Sequence, residues 1–211
     1  MTRELIKQIK ELKKSQKGKE IEKRLIDFSS IGRKGSNDWF VELCFCLLTA
    51  NTSAELGLRI QNEFGFKGFT SCLTEKTLAK KLKDAKYRFY NRRAHFIFLA
   101  CRYKDDIKEI LSSMNHVEKR EWLVTNIKGI GYKESSHFLR NIGFFDYAIL
   151  DKHIIRLLHE NKLITKIPNS LNKNSYFEYE DVLSKICDKV GMGQGELDMY
   201  LWYIKTGQIL K

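Results

Sequence analysis

Two side chains in the middle of this chain are of types that do covalent chemistry together. Lys133 closes the run Lys128-Gly129-Ile130-Gly131-Tyr132-Lys133, and Asp151 lies eighteen positions further on, in Leu150-Asp151-Lys152-His153-Ile154-Ile155-Arg156. An amine is a nucleophile only when uncharged. The start of a helix disfavours the ammonium form, and burial would disfavour it further. A carboxylate is stabilised at that same position, and apolar Ala148, Ile149 and Leu150 before Asp151, with a helical pattern behind it, put it there. Taken singly, Lys133 reads as a surface lysine and Asp151 as a plain N-cap. Taken together they suit attack on a sugar carbon. A glycosidic bond breaks with cationic character on the sugar, which a carboxylate stabilises while it takes the proton from the attacking amine. The resulting imine at C1′ permits loss of the 3′ phosphate by β-elimination, so the pair implies two linked activities, base release and strand cleavage.

The elements that must hold this pair are helices. A periodic segment from Asn115 to Ile127 runs into the two glycines, and a second helix is predicted from about Lys133 to Ile142. Gly129 and Gly131 permit the positive-φ or tight conformations of a short hairpin, and Ile130 between them can plug the seam. Without side chains there, backbone N–H groups can approach a phosphate, helped by the positive end of the second helix. This is the logic of a helix-hairpin-helix, which grips a DNA backbone without reading its sequence. The nucleotide-binding alternatives do not fit. One needs a preceding strand and a third glycine, the other Gly-Lys-Ser/Thr.

The rest of the chain agrees with an all-α fold. Apolar residues recur at three and four positions, as in Trp39, Phe40, Leu43, Leu47 and Leu48, or Phe138, Leu139 and Ile142. Period-two alternation is scarce, and Pro168 is the single proline. Leu5, Ile9 and Leu12 mark an amphipathic N-terminal helix with a solvated lysine face. Glycine and serine punctuate 29–36, the region around 65–71 and 191–195, and 165–176 is the clearest loop.

The formal net charge is +12, which favours a polyanionic partner, nucleic acid first and acidic membrane second. The surplus concentrates in 76–104, where ten cations face the single acid Asp84. Within it, Lys86-Tyr87-Arg88-Phe89-Tyr90-Asn91-Arg92-Arg93 interleaves cations with aromatics, which suits phosphate contacts beside groups that can stack on bases. No run of about 18 apolar residues predicts a membrane span, and the charged N-terminus lacks a signal-peptide core. The expectation is therefore a cytoplasmic, nucleoid-associated protein. Five cysteines (Cys44, Cys46, Cys72, Cys101, Cys187) show no repeated ligand spacing and read as buried thiols. No metal and no cofactor are expected.

At this point the chain resembles the helix-hairpin-helix DNA glycosylases. Gly129-Ile130-Gly131-Tyr132-Lys133 and Leu150-Asp151-Lys152-His153 are similar to that superfamily's hairpin, catalytic lysine and catalytic aspartate, and Leu47-Leu48-Thr49-Ala50-Asn51-Thr52-Ser53 to its Leu-Leu-Ser-Ala-Gln motif. Only Cys187 follows Asp151, which disfavours the iron–sulfur branch. The ending Gly195 to Lys211 resembles instead the compact second type of 8-oxoguanine DNA glycosylase/lyase of archaea and some bacteria. The resemblance implies that Asn51 is a polar wedge filling the gap left by an extruded base, although asparagine replaces the commoner glutamine. It implies base recognition by Lys211, through a chain-end carboxylate, together with Trp202, Phe89, Asp198, Met199 and His153. Gly129, Gly131, Asn51, Arg88, Arg92 and Arg93 are the expected DNA contacts.

The resulting expectation is an all-α protein with a central helical domain of 40–151 carrying the hairpin. A second subdomain is built from 1–39 plus 152–211, and the active site lies in the cleft between them. Its partner is double-stranded DNA with a damaged base, and nothing calls for more than a monomer. The same chemistry on another oxidised base, or a non-catalytic DNA-binding module, are the alternatives.

Overall fold

Side-chain caps decide where half of this protein's α-helices begin, and glycines where two of them end. The computed structural model describes residues 2–211. In chain order its helices are α1 (Thr2–Lys14), α2 (Gln16–Arg33), α3 (Ser36–Thr49), α4 (Ala54–Thr70), α5 (Glu75–Asp84), α6 (Tyr90–Ala100), α7 (Ile107–Ser112), α8 (His116–Asn126), α9 (Tyr132–Asn141), α10 (Lys152–Glu160), α11 (Lys173–Val190) and α12 (Gln194–Thr206). No strand occurs among the described residues. Ser15, Ser53, Thr74, Asn115, Asp151 and Asn172 each accept a hydrogen bond from the first turn of the helix that follows. Such a bond satisfies an N–H that has no partner inside the helix. At Asn115 the bond is reciprocal, because the Glu118 carboxylate accepts from the Asn115 N–H at 2.8 Å. Gly191 and Gly207 end α11 and α12 in the left-handed conformation that other residues rarely adopt.

Two loop expectations need correction. The segment 165–176 is loop only as far as Asn172. That residue accepts from Ser175 N–H while Ser175 Oγ accepts in return, and α11 starts there. Gly32 does not end a helix but lies inside α2, where a Cβ would stand 2.4 Å from the Ile142 carbonyl. This glycine serves the close approach of α2 to the end of α9.

The buried apolar side chains form two clusters. The first gathers α3, α6, α8 and α9 around Trp39, Phe40, Phe45, Leu47, Ile97, Leu123 and Phe138. The second gathers α1, α2, α10, α11 and α12 around Leu5, Ile9, Phe28, Leu157, Leu197 and Tyr200. Burying each such side chain contributes about 1.5–3 kcal/mol against its exposed state, so α1 is held by Leu5 and Ile9 while its lysines stay solvated. Two helices touch both clusters: α2, with Phe28 in the second and Ile31 against the first, and α9, with Phe138 in the first and Tyr132 against the second. Among the described residues no helix is long and apolar enough to cross a membrane.

Candidate active site

The hairpin between α8 and α9 is built as the sequence predicts, but its two glycines do different work. Gly129 has φ +92°, and a Cβ there would lie 2.2 Å from the Phe96 ring, so both conformation and space exclude a side chain. Gly131 is extended (φ −108°, ψ −170°) and precedes α9 without a side-chain cap. A Cβ on it would meet nothing closer than Glu134 Oε2 at 3.7 Å. Open space, not strain, characterises that position. Ile130 is buried against the first cluster and closes the seam.

Lys133 stands in the first turn of α9 and Asp151 caps α10. Both line one cleft of about 780 Å³, within the range of about 300–1,000 Å³ usual for ligand pockets. The Lys133 side chain keeps 29% of its surface exposed and its Nζ lies 3.6 Å from Glu134 Oε1. Asp151 Oδ1 accepts from the N–H groups of His153 at 2.8 Å and Ile154 at 2.9 Å. Both bonds fall on one oxygen, which leaves Oδ2 for the cleft. Asp151 is therefore an N-cap and a candidate reactive group at once.

The far wall comes from α12. Asp198, Met199 and Trp202 line the cleft, and the His153 ring meets Trp202 edge to face at 5.0 Å between centroids. The Trp202 indole N–H is buried without a partner inside the protein. Asp198 is not a free acceptor: Arg140 Nη1 lies 3.2 Å from its Oδ2, and Arg140 also donates to Met199 Sδ. Burial raises the Asp198 carboxyl to about 7, with Arg140 opposing and nearby Asp151 adding to the rise. Lys211 reaches the cleft with its side chain tied down, Nζ 2.5 Å from Glu42 Oε1 on α3 and 2.8 Å from Gln61 Oε1 on α4.

Sequence reasoning missed His137, Arg140 and Glu134, all of which line this cleft. His137 and Arg140 lie four and seven positions after Lys133, the spacing that shares one helix face, and this signal was available. Burial first, then the cations of Arg140 and Lys133, holds His137 well below the ordinary histidine range. It is a neutral ring at physiological pH, and neither of its nitrogens makes a well-formed hydrogen bond within the protein.

Two expected site residues sit elsewhere. Arg93, expected on the DNA face, is 5% exposed and donates to the Ala50 carbonyl. A buried guanidinium cannot meet a phosphate, so its contribution is to the turn that carries Asn51. Phe89, expected in the base pocket, lies outside the cleft; it precedes α6 and packs against the first cluster beneath Arg88. Asn51 itself is exposed at φ +61° and lines the cleft mouth, while Arg88 and Arg92 are exposed. Arg92 borders a second cavity of about 480 Å³ beside the hairpin, lined also by Arg102, Lys128 and Gly129.

An all-helical chain whose hairpin carries a lysine into a cleft, opposite a helix-capping aspartate, defines a helix-hairpin-helix DNA glycosylase. A family model described as 8-oxoguanine DNA glycosylase matches residues 21–192. The 8-oxoguanine DNA glycosylase/AP lyase of Methanocaldococcus jannaschii is 50% identical over 208 residues, covering 98% of this chain and 99% of that protein. The solved structure of the M. jannaschii glycosylase/lyase with 15mer DNA containing 8-oxoguanine has a TM-score of 0.93 over 98% of this chain and 99% of that one. That of the 8-oxoguanine DNA glycosylase of Thermotoga maritima has a TM-score of 0.92 at 40% identity, covering all of both chains. This chain belongs to the 8-oxoguanine DNA glycosylase family.

Proposed function

We propose that this protein excises 8-oxoguanine from double-stranded DNA and then cleaves the strand, with Lys133 as nucleophile and Asp151 as its carboxylate partner. The observation that carries the reading is that Lys133 and Asp151, each at the start of a different helix, face one cleft. Lys133 Nζ, once uncharged, attacks C1′ as the C1′–N9 bond breaks and the base leaves. The carboxylate of Asp151 stabilises the positive sugar and accepts the proton that the amine sheds. The C1′–O4′ bond of the resulting aminal then breaks, O4′ taking up the proton that Asp151 accepted, and the ring-opened C1′ imine acidifies C2′; loss of a C2′ proton and of the 3′ phosphate cleaves the strand. Water finally releases the lysine.

The extruded base enters the cleft against Trp202 and Met199, below the tethered backbone of Lys211. Extrusion costs a few kcal/mol, part of which stacking returns. His153, Asp198 and neutral His137 supply directed polar contacts. Asn51 fills the vacated stack, while the open backbone at Gly131, with Gly129, Arg88 and Arg92, holds phosphates. Residues 40–151 and 1–39 plus 152–211 act as the two lobes around the lesion. Every group invoked belongs to one chain, so a monomer suffices.

Borohydride reduction of the imine tests this. The parent protein is expected to become covalently trapped on a duplex containing 8-oxoguanine, and Lys133→Ala to lose trapping altogether. Equal trapping by the alanine variant would remove the mechanism. Duplexes each holding one other oxidised base, run alongside, decide whether 8-oxoguanine is the preferred lesion.

A further inference from the structure

The segment 147–150, which delivers Asp151, belongs to no helix, and its backbone polar groups need partners. Among the described residues its only backbone–backbone bond is that from Asp151 N–H to the Ile149 carbonyl. The remaining bonds come from two side chains of α11. The Tyr176 hydroxyl donates to the Ala148 carbonyl at 2.6 Å and accepts from the Leu150 N–H at 3.3 Å. Glu180 Oε1 accepts from the Ala148 N–H at 3.0 Å. Three backbone groups in the three residues before Asp151, both of Ala148 and the N–H of Leu150, are thus held by α11.

The same side chains reach the helix that carries Lys133. Ser136 Oγ on α9 lies 3.4 Å from the Tyr176 hydroxyl and accepts from Arg120 Nη1 at 3.3 Å. Arg120 in turn grips Glu180 with two bonds of 2.6 and 2.7 Å. Its guanidinium is enclosed by Tyr132, Tyr147, Tyr176 and Phe177 at 4.7 to 5.8 Å from their ring centres. Arg120, Ser136 and Tyr176 are all 2% exposed or less, and Glu180 7%. A buried ion pair so fully bonded is rigid, because any displacement leaves a polar group unsatisfied in a low-dielectric interior.

The geometry points to Tyr176 as a positioning residue, fixing through Ala148 and Leu150 where Asp151 stands relative to Lys133, with Ser136 as the tie to the lysine's helix. A core filler would need the ring of Tyr176 but not its hydroxyl, whereas it is the hydroxyl that bonds the Ala148 carbonyl and the Leu150 N–H and lies beside Ser136. The inference rests on the roles proposed above for Lys133 and Asp151. Its consequence follows from the steep dependence of covalent catalysis on alignment, where a displacement of about 1 Å can cost about 100-fold.

The test is a double-mutant cycle on single-turnover excision, using the full chain and an 8-oxoguanine duplex. Tyr176→Phe keeps the ring; it is expected to slow excision about tenfold while duplex affinity stays within about twofold. In the Asp151→Asn background the same change is expected to cause no further loss, because the group being positioned has gone. An equal loss in both backgrounds, or no loss in either, overturns the inference. If Asp151→Asn alone leaves excision unchanged, the catalytic assignment fails instead, so the two failures are distinguishable. Should Tyr176→Phe not fold, Ser136→Ala, which removes only a hydroxyl, carries the same cycle with an expected loss of about threefold.

Discussion

Single residues in this cleft do two jobs, and burial decides which job is visible. Asp151 caps α10 with one oxygen and keeps the other for the cleft. Asp198 pairs with Arg140 and carries a consequence for pH. Its carboxyl titrates near 7 in the folded chain against an ordinary 3.8, chiefly because burial penalises its charged form. Between those values the folded chain holds a proton that the unfolded chain has released. The contribution to stability is therefore full below about 4, is lost as pH rises toward 7, and is flat above that. Because the group is wholly buried, the loss is on the order of a few kcal/mol. Asp198→Asn cannot titrate, so its melting temperature is expected to fall less between pH 4.5 and 7.5 than that of the parent. Parallel curves for the two proteins would show that Asp198 is not the source.

At the scale of elements, the hairpin separates a glycine required by the fold from one that we propose is required by the partner. Gly129→Ala places a Cβ against Phe96 at φ +92° and is expected to destabilise by about 2 kcal/mol or more. For a chain of this size that lowers the melting temperature by about 4–8 °C. Gly131→Ala meets open space at an ordinary φ, so melting should be unchanged while duplex affinity falls. A stable Gly129→Ala, or a Gly131→Ala that binds as the parent does, contradicts this division. The sequence showed the hairpin, its lysine and the aspartate eighteen positions on, because glycine spacing and helical period are local signals. It could not show that Arg93 turns inward to the Ala50 carbonyl, since a cation in a basic run looks the same whether it faces water or a distant backbone oxygen. Nor could it show Tyr176 and Glu180 holding 148–150. Those contacts span 26 to 32 positions, and only folding brings them together.

For the molecule as a whole, the surplus charge and the aromatic residues of 76–104 prove to be partners of each other. Lys83 lies over Tyr90, Arg88 over Phe89 and Arg92 over Phe96, at 5.1 to 5.7 Å from the ring centres, while Tyr87 is buried. Buried Tyr87 has no face for a base, and a cation already covers one face of Phe89, Tyr90 and Phe96. The rings hold the cations in place, and the cations remain exposed for phosphates. Binding to undamaged duplex should then be governed by release of counterions, with log affinity falling linearly in log salt at about 0.9 per phosphate neutralised. If Arg88 and Arg92 each meet one phosphate, the double change Arg88→Gln, Arg92→Gln is expected to flatten that slope by about 1.8. Lys185→Gln, which removes a cation already paired with Asp181 on α11, is expected to leave it unchanged. Titrations of a fluorescent undamaged duplex between 50 and 200 mM salt read the slopes directly. Equal flattening per charge by all three substitutions would mean that net charge alone binds the duplex and that no particular face of the molecule is selected.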